Sequence, residues 1–172
     1  MKIKIEIKNR WTGKALFEYD KENNTVKDTL IEAVKNGAYL RDAYLGDADL
    51  SNADLRGAEN IPSIPIACPT EGAFIGWKKI HGCLVKLEVQ EDARRCSATS
   101  RKCRCDKALV LEIRNLESDE ALDQIINKSY SPYVIYKVGE MVYPDSFDED
   151  RWNECSHGIH FFIDKDEAIN YK

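Results

Sequence analysis

The chain opens on a strict alternation in which Ile3, Ile5 and Ile7 are separated by charged residues, the two-residue period of a half-buried strand. Ala15 to Tyr19 supplies a hairpin partner, and the polar stretch from Asn9 to Gly13 supplies the turn. The period then lengthens. Val26, Leu30, Ala33 and Val34 share one face of a helix that Thr25 can cap, which runs to about Asn36 with Gly37 near its C-terminus.

From Ala38 the period becomes five: AYLRD, AYLGD, ADLSN, ADLRG and AENIP, with Ala38, Ala43, Ala48, Ala53 and Ala58 in phase and Leu40, Leu45, Leu50 and Leu55 two residues later. This pattern resembles the pentapeptide-repeat family, A(D/N)Lxx. The resemblance implies a right-handed four-sided β-helix with Leu and Ala inward and about four repeats per turn, hence about one coil here. One coil cannot bury its own ends, so it is expected to cap another structure. Asp42, Asp47, Asp49, Asp54 and Glu59 echo the acidic coils with which some relatives imitate DNA, but one coil is too short for duplex mimicry.

Pro62, Pro65 and Pro69 mark a joint in which Ile61, Ile64 and Ile66 can pack. Beyond it the pattern predicts strands at Leu84 to Val89, Ala108 to Ile113, Tyr133 to Val138 and Ile159 to Ile163. Ser118 is expected to cap a helix through Ile126, and Asp164 a final helix with Glu167 completing a capping box. The expected architecture is α+β: an N-terminal hairpin and helix (1–37), a pentapeptide-repeat β-helix coil (38–61), a Pro-rich joint (62–69), and a mixed α/β domain (70–172) capped by the coil.

At 172 residues, 43% hydrophobic and 32% charged, the composition is globular and excludes a disordered chain. No stretch approaches the roughly 18 to 20 apolar residues of a helical membrane span, and MKIKIEIKNR is no secretory signal. The reading is cytoplasmic, with the six cysteines mostly thiols. The net charge of −5 disfavours nucleic acid, but the charge is patterned. Residues 78–107 hold nine Lys/Arg against four acids, and residues 140–154 hold six acids against one Arg.

The motifs GWKK, LVKLEVQEDARRCSATSRKCRCDKALVLEI, YKVGEMVYPDSFDEDRW and NECSHGIHFFIDKDEA resemble the domain of an uncharacterised bacterial and bacteriophage family in which it follows a short pentapeptide-repeat segment. That resemblance implies architecture and a bacterial or phage setting, and no catalytic residue.

Two constellations carry chemistry. Arg94, Arg95, Ser97, Thr99, Ser100, Arg101, Lys102, Arg104 and Lys107 combine guanidinium forks with hydroxyls, which suits phosphate or carboxylate oxygens. The same run can instead be a solvated turn or a partner for the acidic 140–154 segment. It has no P-loop or dinucleotide spacing, and no interleaved aromatics for RNA.

Cys155-x-His157-x2-His160 is the second. With Cys96, Cys103, Cys105, His81 and Cys83 it raises zinc, although Cys103-x-Cys105 is not the usual knuckle, and no metal or cofactor is assigned. It also permits a nucleophilic Cys155 activated by His157 or His160 and oriented by Asp148, Asp150 or Glu154. The acidic run from Glu140 to Glu154 could itself supply an acid/base pair, though a solvated turn is simpler.

The leading expectation is a noncatalytic binding protein for a phosphorylated small molecule or an acidic partner, such as a phage-type sequestering protein. Arg94, Arg95, Arg101 and Arg104 would hold charge, Ser97 and Thr99 would orient, and Tyr136 or Trp152 would cover an apolar portion. The alternatives are a cysteine-dependent transferase or hydrolase using Cys155 with His157 or His160, and a structural protein-interaction module. Whether the chain is an enzyme or a homo-oligomer stays open at this level.

Overall fold

The computed structural model describes residues 1–45, 48, 50, 53–56, 58–59, 61, 66–129 and 133–171. The chain divides into two units, Met1–Pro65 and Ile66–Lys172. Pro62, Ile64 and Pro65 of the expected joint lie outside the described residues, as do Asp47 and Asp49.

In the first unit, β1 (Lys2–Lys8) pairs antiparallel with β2 (Ala15–Glu22), with Ile5 opposite Tyr19 and Ile7 opposite Phe17. Burial along β1 is graded: Ile3 is exposed, Ile5 half-buried and Ile7 buried. Helix α1 (Val26–Lys35) begins at Thr25, whose hydroxyl accepts from the Asp28 amide while the Asp28 carboxylate accepts from the Thr25 amide. That reciprocal capping box satisfies two backbone donors the helix cannot satisfy itself.

The five-residue repeat does not build the expected β-helix. Leu40, Ala43, Leu50, Ala53 and Leu55 are buried, as the period demands. Yet the backbone bonds that recur are local turns, Ala43 N–H to Leu40 O, Ala48 to Leu45, Ala53 to Leu50 and Ala58 to Leu55. Among the described residues of 38–61 no strand forms, and the segment's one β-bridge joins Ala43 to Asn9 at the end of the hairpin. The reason is length: a β-helix is held by bonds from coil to coil, and about one coil has no neighbour to bond.

In the second unit the central sheet has the order β10-β7-β4-β3. Its strands are β3 (Phe74–Ile80), β4 (Cys83–Val89), β7 (Ala108–Asn115) and β10 (Met141–Val142). A second sheet, β11-β6-β5, contains β5 (Arg95–Ser97), β6 (Cys103–Cys105) and β11 (Ile159–Phe161). Paired amide–carbonyl bonds between Trp77 and Phe162, 2.7 and 2.8 Å, join the sheets at β3 and the end of β11. β8 (Gln124–Asn127) and β9 (Val134–Lys137) form a separate antiparallel pair. Val85, Leu87, Val110, Ile113 and Phe161 are fully buried in the core. Gly76 is what admits the Phe161 ring, since a Cβ there would lie 2.6 Å from its Cδ2.

The four strands expected from sequence are present as β4, β7, β9 and β11. The helix expected from Ser118 is not. The Asn115 Oδ1 accepts from the amides of Glu117 and Ser118, Asp119 takes φ 57°, and Leu122 returns its amide to Ile113 O. The chain therefore reverses and enters β8, where Ile125 and Ile126 favour extended backbone. Helix α2 (Lys165–Asn170) is capped by Asp164, which accepts from Asp166 and Glu167 amides. The reciprocal half of that box is not made, because Arg101 Nε donates to the Glu167 carboxylate. Among the described residues no helix is long and apolar enough to cross a membrane.

Candidate functional site

The segment joining β10 to β11, residues 143–158, has no regular structure, and the basic run holds it in place. Arg104, on β6, is only 2% exposed and donates to the carbonyls of Asp148 (3.1 Å), Asp150 (2.9 Å) and His157 (2.8 Å). The Asp148 carboxylate braces the segment from within, accepting from Ser156 Oγ (2.6 Å), Asn153 Nδ2 (2.8 Å) and the Asp150 amide (2.9 Å). Those bonds, Ser156's first, hold Asp148 below the usual carboxylate range. Gly158 closes the segment at φ 142°, against Arg104 Cβ and Phe147.

The other members of the basic run are engaged too. Arg94 pairs with Asp106 (2.9 Å) and Glu149 (2.8 Å), and its guanidinium covers the Phe147 ring. Arg95 donates to the carbonyls of Gly72, Gln90, Glu91 and Ala93. Ser97 is buried and accepts from the Ala67 amide (2.7 Å), and Ser100 donates to Glu154. Thr99 Oγ1 is buried without a hydrogen-bond partner. Trp152 lies under the Arg151 guanidinium at 4.4 Å. Of the eight residues expected to bind a ligand, Tyr136 alone lines one of the three cavities described, and no arginine lines any of them.

The cysteine constellation is brought together in part. Five thiols are buried and free, and Cys155 is free and exposed. Cys155, His157 and His160 all line one cavity of about 360 Å³, with Asp145, Lys78 and Tyr136. His157 Nδ1 lies 2.8 Å from Asp145 Oδ2, and that contact holds Asp145 below the usual carboxylate range. The orienting carboxylate is thus Asp145, whereas Asp148 and Glu154 are bound to Ser156 and Ser100. His160 is different: burial, then Lys78, Lys102 and Arg104, push it down to about 3, so it is neutral near pH 7. Its Nε2 is buried without a hydrogen-bond partner.

Two lysines were not tied to Cys155 by sequence reasoning, which placed Lys102 in the basic run and gave Lys78 no role. The buried Lys102 sets its ammonium 3.3 Å from Cys155 Sγ and 3.4 Å from the Tyr171 hydroxyl. Burial alone would lower this lysine, but Cys155 and Tyr171 outweigh it and raise it. Lys78, on β3, donates to the His160 carbonyl (3.1 Å), and burial pushes it down to about 8. Nothing local marks either residue, since a lysine's distance from a thiol 53 positions away is set by the fold.

Among the described residues no three of His, Cys, Asp and Glu converge as metal ligands. Burial raises the Cys96 and Cys105 thiols, and a hydrogen bond with Cys68 raises Cys103 first, which keeps all three protonated. The arrangement that does converge is a thiol beside an ammonium, on a cavity shared with a carboxylate-oriented imidazole. In chemical terms it brings a sulfur and a proton-accepting imidazole to one cavity.

No curated protein and no solved structure matches the chain. Residues 36–59 match pentapeptide repeats, although no solenoid is built from them. Residues 64–168, more than half the chain and including every residue of the cavity just described, match a second family model, so the chain belongs to the family of unknown function DUF5758.

Proposed function

We propose that the chain is a cysteine-dependent hydrolase or transferase acting on a carbonyl electrophile, with Cys155 as nucleophile and His157 as general base. The observation that carries this reading is the convergence of Lys102 on Cys155 at 3.3 Å, on a cavity also lined by the His157–Asp145 pair. An adjacent ammonium favours thiolate over thiol, and the thiolate is the attacking species. The Asp145 carboxylate fixes the His157 tautomer by accepting from Nδ1–H, which leaves Nε2 to accept a proton.

In this reading the Cys155 thiolate adds to the carbonyl carbon, forming a C–S bond, and the leaving group departs with a proton from the His157 imidazolium. Water or another acceptor then attacks the thioester, gives its proton to His157, and releases the acid or acyl product with the thiolate restored. His160, held neutral, takes no part in proton transfer. The arginine-based pocket has less support, because Arg94, Arg95, Arg101 and Arg104 are each bonded to groups of the chain itself.

The test uses p-nitrophenyl acetate as a generic acyl donor. Intact mass should show one acetyl group, mapping to Cys155 and absent from Cys155→Ala, and His157→Ala should slow turnover by roughly 10²-fold or more. Hydrolysis unchanged in Cys155→Ala would overturn the reading.

A further inference from the structure

A second cavity, of about 210 Å³, adjoins the first, and Lys78, Asn127, Cys155 and His160 line both. Its wall carries three lysines, Lys78, Lys79 and Lys102, with His81 and His160, and among the described residues no Asp or Glu. That is a departure from the rest of a chain whose net charge is −5. Several lysines elsewhere meet carboxylates, as Lys4 does Glu18, Lys21 Asp28 and Lys107 Asp92. Here Lys78 Nζ donates to the His160 carbonyl, Lys79 Nζ to the Ile169 carbonyl at 2.7 Å, and Lys102 Nζ to Cys155 and Tyr171.

A carbonyl satisfies an ammonium's hydrogen-bond geometry without neutralising its charge. Lys78 and Lys79 therefore bring positive charge to one cavity wall with no carboxylate beside them, at a cost in desolvation that an incoming anion would offset, whereas Lys102 is matched by Cys155. The neutral donors suit the same guest. Asn127 is buried, its Oδ1 accepts from the Ser129 amide, and both residues line the cavity. His81 holds φ 44° in the two-residue turn from β3 to β4, a strained backbone for a non-glycine residue, and it too lies on this wall.

We infer that this cavity is an oxyanion subsite: it takes the phosphate or carboxylate group of a substrate whose electrophilic carbon then reaches Cys155 from the same wall. The reaction assigned to that carbon rests on the cysteine reading, but the binding of the anion does not. The site lies on β3, Lys102 and Asn127, and no arginine lines it.

Binding is measured by NMR titration of Cys155→Ala protein at pH 7 with inorganic phosphate and, separately, with acetate, at ionic strength fixed with chloride. One-site saturation is expected, weakened at least tenfold by Lys78→Met and by Lys79→Met, and unchanged by Arg94→Ala. Tighter phosphate binding assigns a phosphorylated substrate, and tighter acetate binding a carboxylate. If Lys78→Met fails to fold by its urea transition, Lys79→Met carries the test. Shifts that never saturate for either anion, or saturation indifferent to the lysines, overturn the inference. Because the titrated protein lacks the thiol, failure of the acyl-transfer reading leaves this result standing, and the reverse also holds.

Discussion

The ammonium of Lys102 lies 3.3 Å from the sulfur of Cys155, although 53 positions separate them in the chain. Lys102 adjoins β6, and Cys155 rides the segment that Arg104 of the same strand pins by three carbonyls. One short strand thereby positions both the segment bearing Cys155 and the ammonium beside its sulfur.

Removing that charge should slow the thiol. Lys102→Met keeps the apolar stem of the side chain but removes the cation, and with it the ammonium's contact with the Tyr171 ring. Alkylation of Cys155 by iodoacetamide at pH 7, followed by intact mass, is expected to slow by about tenfold when the adjacent ammonium is removed. An equal rate in the variant and the wild type would remove Lys102 from the site.

Arg104 should matter for the segment more than for the core. Replacing it with Met leaves the Asp148, Asp150 and His157 carbonyls without their donor, an expected cost of about 3 kcal/mol. Limited proteolysis is expected to cut within 143–158 in Arg104→Met well before the wild type is cleaved there. Cleavage elsewhere first, with that segment intact, would show that the guanidinium holds something other than this segment.

The close approach of Gly76 to Phe161 gives a prediction about packing. Gly76→Ala places a methyl 2.6 Å from the ring's Cδ2, in a core where the ring is fully buried, and should cost about 1 to 3 kcal/mol in urea unfolding. Adding Phe161→Leu to Gly76→Ala should be less harmful than the sum of the two single changes, since the leucine removes the ring the methyl meets and the methyl fills part of the space the ring leaves. Strict additivity would mean the strand shifts to admit the methyl.

What the sequence disclosed follows how local each cause is. The β1–β2 hairpin and α1 were legible because a two-residue period, a 3.6-residue period and Thr25 are short-range signals. Ser118 misled because the Asn115 side chain, three residues earlier, takes the Ser118 amide and turns the chain back. The five-residue repeat reported the buried Leu and Ala positions correctly, but ladder formation depends on a second coil that the segment lacks. β3 was obscured by Lys78 and Lys79, which break its apolar pattern and are also the residues that make its cavity cationic. Cys155, His157 and His160 could be named from their spacing, whereas Lys102 and Asp145, named only as members of the basic and acidic runs, were matched to Cys155 and His157 only by the fold.

His160 gives the pH dependence a definite sign. Its folded form sits at about 3, below the 6.5 of an exposed imidazole, because burial and then Lys78, Lys102 and Arg104 disfavour the cation. Between those two values the unfolded chain binds a proton that the folded chain refuses, so stability rises with pH there and is lost as pH falls from about 6.5 toward 3. The full effect is on the order of several kcal/mol. Asp145 and Asp148 are also held low, but they can contribute only below their ordinary 3.8, which separates their window from that of His160. Urea unfolding at pH 7, 5.5 and 4.5 should therefore show a decline that is much reduced in His160→Gln, whose side chain does not titrate. A decline of equal size in His160→Gln would assign the loss to other groups and show that this imidazole takes up its proton freely in the folded protein.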